Sequence, residues 1–177
     1  RRQRQMCIRD RYRKGQRFLI ESIEKIKEET PLLGSKLHLI LSGSGEDEQV
    51  LKEMVKVKNM GDMITFTGYC NNPIDFINAA DIFALPSVAN EDMPLVILSA
   101  MKLGKPIVAT NFAGIQEEIE SGVSGILIEP NEQTIVDNLV HALIEMSHCN
   151  NIWGKNAQVR YEELFSIKTS SNNNLTA

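Results

Sequence analysis

The segment Pro86-Ser87-Val88-Ala89-Asn90-Glu91-Asp92-Met93-Pro94 brings two acids to the start of an apolar run, Leu95 to Leu103, that stops at Gly104. The run reads as a helix. Pro94 suits its first turn, where a missing N–H costs nothing, and Gly104 suits its end. A helix start presents N–H groups that have no carbonyl one turn back, and its dipole favours negative charge. The N–H groups near Met93, Leu95 and Val96 therefore make a diphosphate site that needs no metal ion. Glu91, just outside that terminus, is placed to hydrogen-bond sugar hydroxyls. A plainer role fits the same spacing, in which Glu91 and Asp92 only complement the dipole. The residues by themselves leave both open.

Gly43-Ser44-Gly45 is the second candidate, because glycines after a strand let the backbone approach a phosphate or sugar closely. The segment lacks the third glycine of a dinucleotide fingerprint and the Lys-Ser/Thr of a P-loop, so a purely steric role competes with it. Cys7, Cys70 and Cys149 are odd in number and scattered, which gives neither a disulfide framework nor a zinc spacing and suits a reducing, cytoplasmic setting. His38, His141 and His148 form no ligand cluster in sequence, so no metal site is expected.

These residues need a scaffold, and the hydrophobic periodicity supplies one. From Arg17 onward it alternates between two types. Helical spacing covers about 17 to 29, 46 to 58, 73 to 80, 94 to 103, 115 to 121, 132 to 146 and 155 to 165. Short apolar strands fall at about 37 to 41, 63 to 67, 82 to 86, 106 to 110 and 125 to 128. Strands this apolar need both faces of a parallel sheet covered. The expected fold class is α/β, a Rossmann-like doubly wound parallel sheet. In such sheets ligands bind at the carboxyl ends of the strands, which draws the loops after Leu41, Thr67, Pro86 and Thr110 to one edge.

A length of 177 residues allows about one domain, and 42% hydrophobic with 24% charged residues excludes wholesale disorder. No uncharged apolar run reaches the roughly 20 residues that span a bilayer. The net charge of −4 divides unevenly: residues 1 to 17 carry +7 and the remainder −11. A basic arm ahead of an acidic body, with no nucleic-acid motif beside it, does not indicate a nucleic-acid partner. Met6-Cys7-Ile8-Arg9-Asp10-Arg11 resembles the translation of a transposon end used in preparing sequencing libraries. Residues 1–13 are therefore set apart as a basic segment and a candidate sequencing artefact, and residues 167–177 as a polar, disordered tail. Residues 14–166 form the expected domain.

Taken in order, the motifs resemble the donor-binding half of the GT-B glycosyltransferases of group 1, also called family four. Glu91-Asp92-Met93-Pro94, Ser99-Ala100-Met101 and Gly104-Lys105-Pro106-Ile107-Val108-Ala109-Thr110 follow the family pattern. Ala113-Gly114-Ile115-Gln116-Glu117-Glu118-Ile119 and Gly122 to Pro130 continue it. Upstream, Gly43-Ser44-Gly45, Phe66-Thr67-Gly68 and Ala80 to Ser87 stand in the family's order, so the similarity covers about residues 14 to 166.

The resemblance implies the C-terminal lobe of a GT-B enzyme that transfers a sugar, with retention, from a nucleotide-diphosphate sugar of the UDP or GDP type. It assigns Glu91 to the donor-sugar hydroxyls and the catalytic role, and the N–H groups of Met93 to Leu95 to the phosphates. The 43–45 and 114 loops would line the cleft. The family's R-x4-K-G falls on Arg9, Lys14 and Gly15, with Arg9 and Lys14 neutralising the leaving diphosphate in place of a metal. The strand preceding this motif is expected to be lost if residues 1–13 are artefactual. A second Glu usually binds the ribose, and here Ser99 stands in its place. Hydrogen bonds to charged groups contribute about 1.5–3 kcal/mol against about 0.5–1.5 for neutral ones. Weaker ribose binding follows, or Ser99 simply bonds back to the Leu95 carbonyl.

The family's acceptor-binding lobe would precede this segment, so the chain alone is expected to be inactive. Partners implied are the nucleotide-sugar donor, that N-terminal lobe and, through it, a peripheral contact with the inner face of a membrane. Surface polysaccharide or glycoconjugate synthesis is the family-level role. Two alternatives are a non-catalytic nucleotide-sugar-binding module, suggested by Ser99, and a sugar-nucleotide epimerase of the same architecture.

Overall fold

The structure, a computed structural model, describes residues 3–8, 14–89 and 93–166. In chain order the elements are β1 (Gln3–Ile8), α1 (Gln16–Glu29), α2 (Pro31–Gly34), β2 (Leu37–Ser42), α3 (Glu48–Val57), β3 (Ile64–Phe66) and α4 (Pro73–Ala79). They continue as β4 (Ile82–Leu85), α5 (Leu95–Lys102), β5 (Ile107–Thr110), α6 (Ala113–Glu118), β6 (Ile126–Ile128) and α7 (Ile135–Leu164). The six strands pair in the order β3-β2-β1-β4-β5-β6, every pair parallel. This is the doubly wound arrangement expected from the periodicity.

Strand alternation divides the core into two layers. Leu39, Leu41, Ile82, Ala84, Val108 and Ile128 face α1 and the first half of α7. Phe83, Leu85, Ile107 and Ala109 face the other way, against Ile77 of α4, Ile97 and Met101 of α5 and Ile115 of α6. Phe18, Leu19, Ile20, Ile23 and Ile26 of α1 are buried, as their helical spacing requires. Arg17–Glu132 at 2.8 Å and Lys25–Asp137 at 2.6 Å tie α1 to the start of α7.

Four features differ from the sequence expectations. Gln3–Ile8, a strand whose presence the sequence makes conditional on residues 1–13 being genuine, forms one of the two central strands, pairing Cys7 with Leu41 on one side and Met6 with Phe83 on the other. Its Gln-Arg-Gln start lacks the apolar run that marks the other strands, and the backbone ladder on both sides compensates. Pro94 is the N-cap of α5 with an extended ψ of 98, one position before the first turn. Helix α6 starts at Ala113, so Gly114 lies in a helical turn instead of a loop. The helices expected at 132 to 146 and 155 to 165 are one continuous helix, α7. It lines the first core layer through Leu143 and Met146 and the second through Ala157. Gly154 permits the crossing, because a Cβ there would collide with the carbonyl oxygen of Gly104 in the turn leading to β5. The polar tail at 167–177 lies outside the described residues.

Candidate functional site

The strand order reverses between β1 and β4: the chain winds from β1 toward β2 and β3, and from β4 toward β5 and β6. The loops leaving the carboxyl ends of these two central strands diverge, which opens a crevice between them. The loop after β1 ends in Lys14-Gly15 and the loop after β4 begins at Pro86. Gly15 has φ 72, and a Cβ on it would collide with the Pro86 carbonyl oxygen. Only glycine supplies both the left-handed turn and the close approach. Lys14 is thereby brought beside the start of the segment that carries the acids, although the two are far apart in sequence.

On the other side of the crevice stands the start of α5, where the first helical N–H groups have no carbonyl within the helix to receive them. Met93 is 43% and Leu95 73% exposed, so this helix start faces solvent. Ser99 lies one turn further in. Its hydroxyl donates to the Leu95 carbonyl at 3.0 Å, the local back-bond that competes with a ligand role. Arg9 and Glu91 lie outside the described residues, so their side chains enter no geometric statement.

The remaining candidates extend along the same edge. The Gly43 N–H donates to the Gly68 carbonyl at 3.0 Å, joining the loops after β2 and β3, and leaves Ser44 and Gly45 exposed. Gly114, in the first turn of α6, stands beyond β5. Asn111 before it donates to Glu129 at 2.9 Å and accepts from Gln116 at 2.7 Å, which fixes the turn between β5 and α6. Lys14, the 43–45 loop, Met93 to Leu95 and Gly114 thus follow the carboxyl ends of β1, β2, β4 and β5 respectively.

Among the described residues, polar groups that the sequence did not single out are buried without a hydrogen-bonding partner, namely Gln16 Nε2, Thr110 Oγ1 and the carboxyl oxygens of Glu118. Glu118 ends α6 and is fully buried; burial, with Glu117 beside it, pushes its carboxyl up to about 8. Arg160 does not pair with that carboxyl: it donates to the main-chain carbonyls of Glu118 at 2.8 Å and Glu117 at 3.1 Å. Arg17 Nη2 is held by Glu132 at 2.8 Å, while its guanidinium lies 4.3 Å from the Phe18 ring centre. Among the described residues no group of three or more His, Cys, Asp or Glu is arranged to hold a metal ion, and no helix is long and apolar enough to cross a membrane.

Residues 6–160 match the family described as glycosyl transferases group 1. An uncharacterised glycosyltransferase of Methanocaldococcus jannaschii is 32% identical over 154 residues, 85% of this chain and 39% of that protein. An Escherichia coli galactosyltransferase, the UDP-Gal:alpha-D-GlcNAc-diphosphoundecaprenol alpha-1,3-galactosyltransferase, is 30% identical over 131 residues, 72% of this chain and 33% of that protein. Among solved structures, Anabaena HepE in complex with UDP-glucose superposes with a TM-score of 0.78 at 27% identity, covering 96% of this chain and 46% of that one. The chain therefore spans less than half the length of each of these proteins.

Proposed function

Because this chain belongs to the group 1 glycosyl transferases, we propose that it is the donor-binding lobe of a retaining, metal-independent enzyme that transfers a sugar from a UDP- or GDP-linked donor. The observation that carries this reading is the contact of Gly15 with Pro86, which sets Lys14 and the approach to α5 on the two sides of the crevice at the reversal of strand order. A lysine, helix N–H groups and an adjacent acid match the three parts of such a donor: phosphate charge, phosphate oxygens and sugar hydroxyls.

In this reading Glu91 holds the hexose, and the N–H groups from Met93 to Leu95 hold the diphosphate. Lys14, with Arg9, stabilises the charge that grows on the diphosphate as its bond to the sugar breaks. The leaving diphosphate takes the proton of the acceptor hydroxyl, so the lobe supplies no separate base. Gly43, Ser44, Gly45 and Gly114 line the crevice to either side. Residues 14–166 are the donor-binding domain, with Gln3–Ile8 as one of its two central strands. The acceptor is held by a further lobe, which also carries any contact with the inner face of a membrane. Similarity to a transferase whose named acceptor is a diphosphoundecaprenol-linked sugar supports a role in polysaccharide or glycoconjugate synthesis.

Ser99 favours one second reading, a module that binds a nucleotide sugar without transferring it. Its hydroxyl is engaged by the Leu95 carbonyl, and a hydroxyl is shorter than the carboxylate that the family pattern has there. Turnover separates the two readings. With the acceptor-binding lobe joined to it, the protein should release UDP or GDP from a hexose donor, and Glu91→Ala should abolish most of that release. Donor binding without release supports the module, and near-normal release by Glu91→Ala removes Glu91 from the site.

A further inference from the structure

Asn111 ties three elements together at the carboxyl edge of the sheet. Its N–H donates to the Ile128 carbonyl at 2.8 Å, which carries the pairing of β5 with β6 one residue past the strand. Its Nδ2 donates to Glu129 Oε1 at 2.9 Å, and its Oδ1 accepts from Gln116 Nε2 of α6 at 2.7 Å. Both outer members of this chain, Glu129 and Gln116, are exposed. An ionised carboxylate only accepts, so Glu129 turns the amino group of Asn111 toward itself and the oxygen toward Gln116. Phe112 packs against the second core layer, and its carbonyl receives the N–H groups of Ile115 and Gln116. The turn therefore has an apolar anchor inside and a polar one outside, and Gly114 is carried between them. Extending the register beyond Leu85↔Ala109 brings Thr110 level with Pro86, the residue that Gly15 approaches. The strand that ends in this turn thus lies one spacing, about 5 Å, from the β4 side of the crevice.

Few hydrogen bonds in folded proteins join two side chains, and most polar side chains bond to backbone or water instead. Two such bonds in series between exposed groups add little to stability. What they do fix is the turn, and with it Gly114, whose bare backbone allows a close approach. We propose that Glu129 is a positioning residue for the donor site: through Asn111 and Gln116 it holds the β5–α6 turn at the distance from the approach to α5 that a bound nucleotide diphosphate requires. Glu129 itself touches no ligand in this assignment; it acts by fixing which way the Asn111 amide points. This inference rests on the donor-lobe reading above.

The test is calorimetric titration of the 177-residue chain with UDP and with GDP, with the melting of each variant recorded without nucleotide. Glu129→Ala removes the acceptor, and Asn111→Asp sets two carboxylates face to face. Each should weaken nucleotide binding by about fivefold to tenfold while melting within about 4 °C of the unmodified chain. Glu129→Gln keeps an oxygen that can accept from Asn111 and should stay within about threefold. Adding Glu129→Gln to Asn111→Asp lets the new amide donate to the new carboxylate, while Gln116 still donates to it. That double variant should return to within about twofold of the unmodified affinity. Unmodified chain that binds, with Glu129→Ala and Asn111→Asp binding equally well, overturns the assignment and leaves the donor-lobe reading standing. A loss of affinity that only accompanies a larger fall in melting, or a double variant that recovers melting without affinity, overturns it in favour of a purely structural tie. Unmodified chain that binds neither nucleotide removes both readings. Should Asn111→Asp fail to fold, the contrast between Ala and Gln at position 129 decides: equal affinity overturns the assignment, and selective loss with Ala supports it.

Discussion

The two sides of the crevice are built differently. On the α1 side, Gly15 touches Pro86, Gln16 is enclosed, and Arg17 is bound to Glu132, so the candidate residues are part of the packing itself. On the α5 side, Met93 and Leu95 are exposed and Ser99 spends its hydroxyl within its own helix. Substitutions at the packed positions of the first side, Gly15 above all, must therefore alter fold and ligand affinity together, whereas those on the second should alter affinity with little effect on the fold.

Gly15→Ala is the harshest way to test this contrast. The added methyl group meets the Pro86 carbonyl in a left-handed backbone, so a loss of about 2–4 kcal/mol is expected, read as a lower urea midpoint together with lost nucleotide binding. A variant with unchanged stability would show that the α1 side is not set by this contact. Lys14→Ala comes next: nucleotide affinity should fall about tenfold or more in calorimetry with the melting temperature nearly unchanged.

Glu118 gives a pH-dependent prediction for the opposite face. Its folded carboxyl, pushed up to about 8, lies above the ordinary value of 4.5. Below the ordinary value both folded and unfolded chains hold the proton, and no penalty arises. Between the two values the unfolded chain releases it first, so the stability contributed by this group falls as pH rises, and the full penalty is present above about 8. Glu118→Gln should raise the melting temperature more at about pH 8 than at about pH 5; an equal change at both would mean that the carboxyl is ionised in the fold. The smallest effect belongs to Ser99. Ser99→Ala should leave nucleotide affinity within about twofold, and Ser99→Glu should tighten it if the α5 side can still accept a ribose. Weakening by alanine would show that the hydroxyl leaves the Leu95 carbonyl to meet the ligand.

The elements that position the crevice could largely be read from the sequence, because apolar strands such as Ile82–Leu85 and amphipathic helices such as Gln16–Glu29 carry their burial in their residue pattern. Gln3–Ile8 could not: polar residues open it, and its place shows only in its backbone pairing with β2 and β4. The continuity of α7 was hidden by the polar stretch from Ser147 to Asn151 and by Gly154, which suggests a break until its contact with Gly104 is seen. Within the site, Lys14-Gly15 and Met93 to Leu95 were visible as motifs, whereas the plain partner of Ser99 required coordinates to choose between two readings. Gln16 and Thr110 left no mark in the sequence, since a lack of hydrogen-bonding partners arises only when distant segments pack together.

The passage of α7 from one sheet face to the other has a mechanical consequence. A single rod of 30 residues clamps both hydrophobic layers, so neither can melt while the other stays intact unless the rod itself snaps near Gly154. Heating should give one sharp transition shared by Trp153 fluorescence and far-ultraviolet dichroism, and a proline introduced near that fulcrum should split it into two.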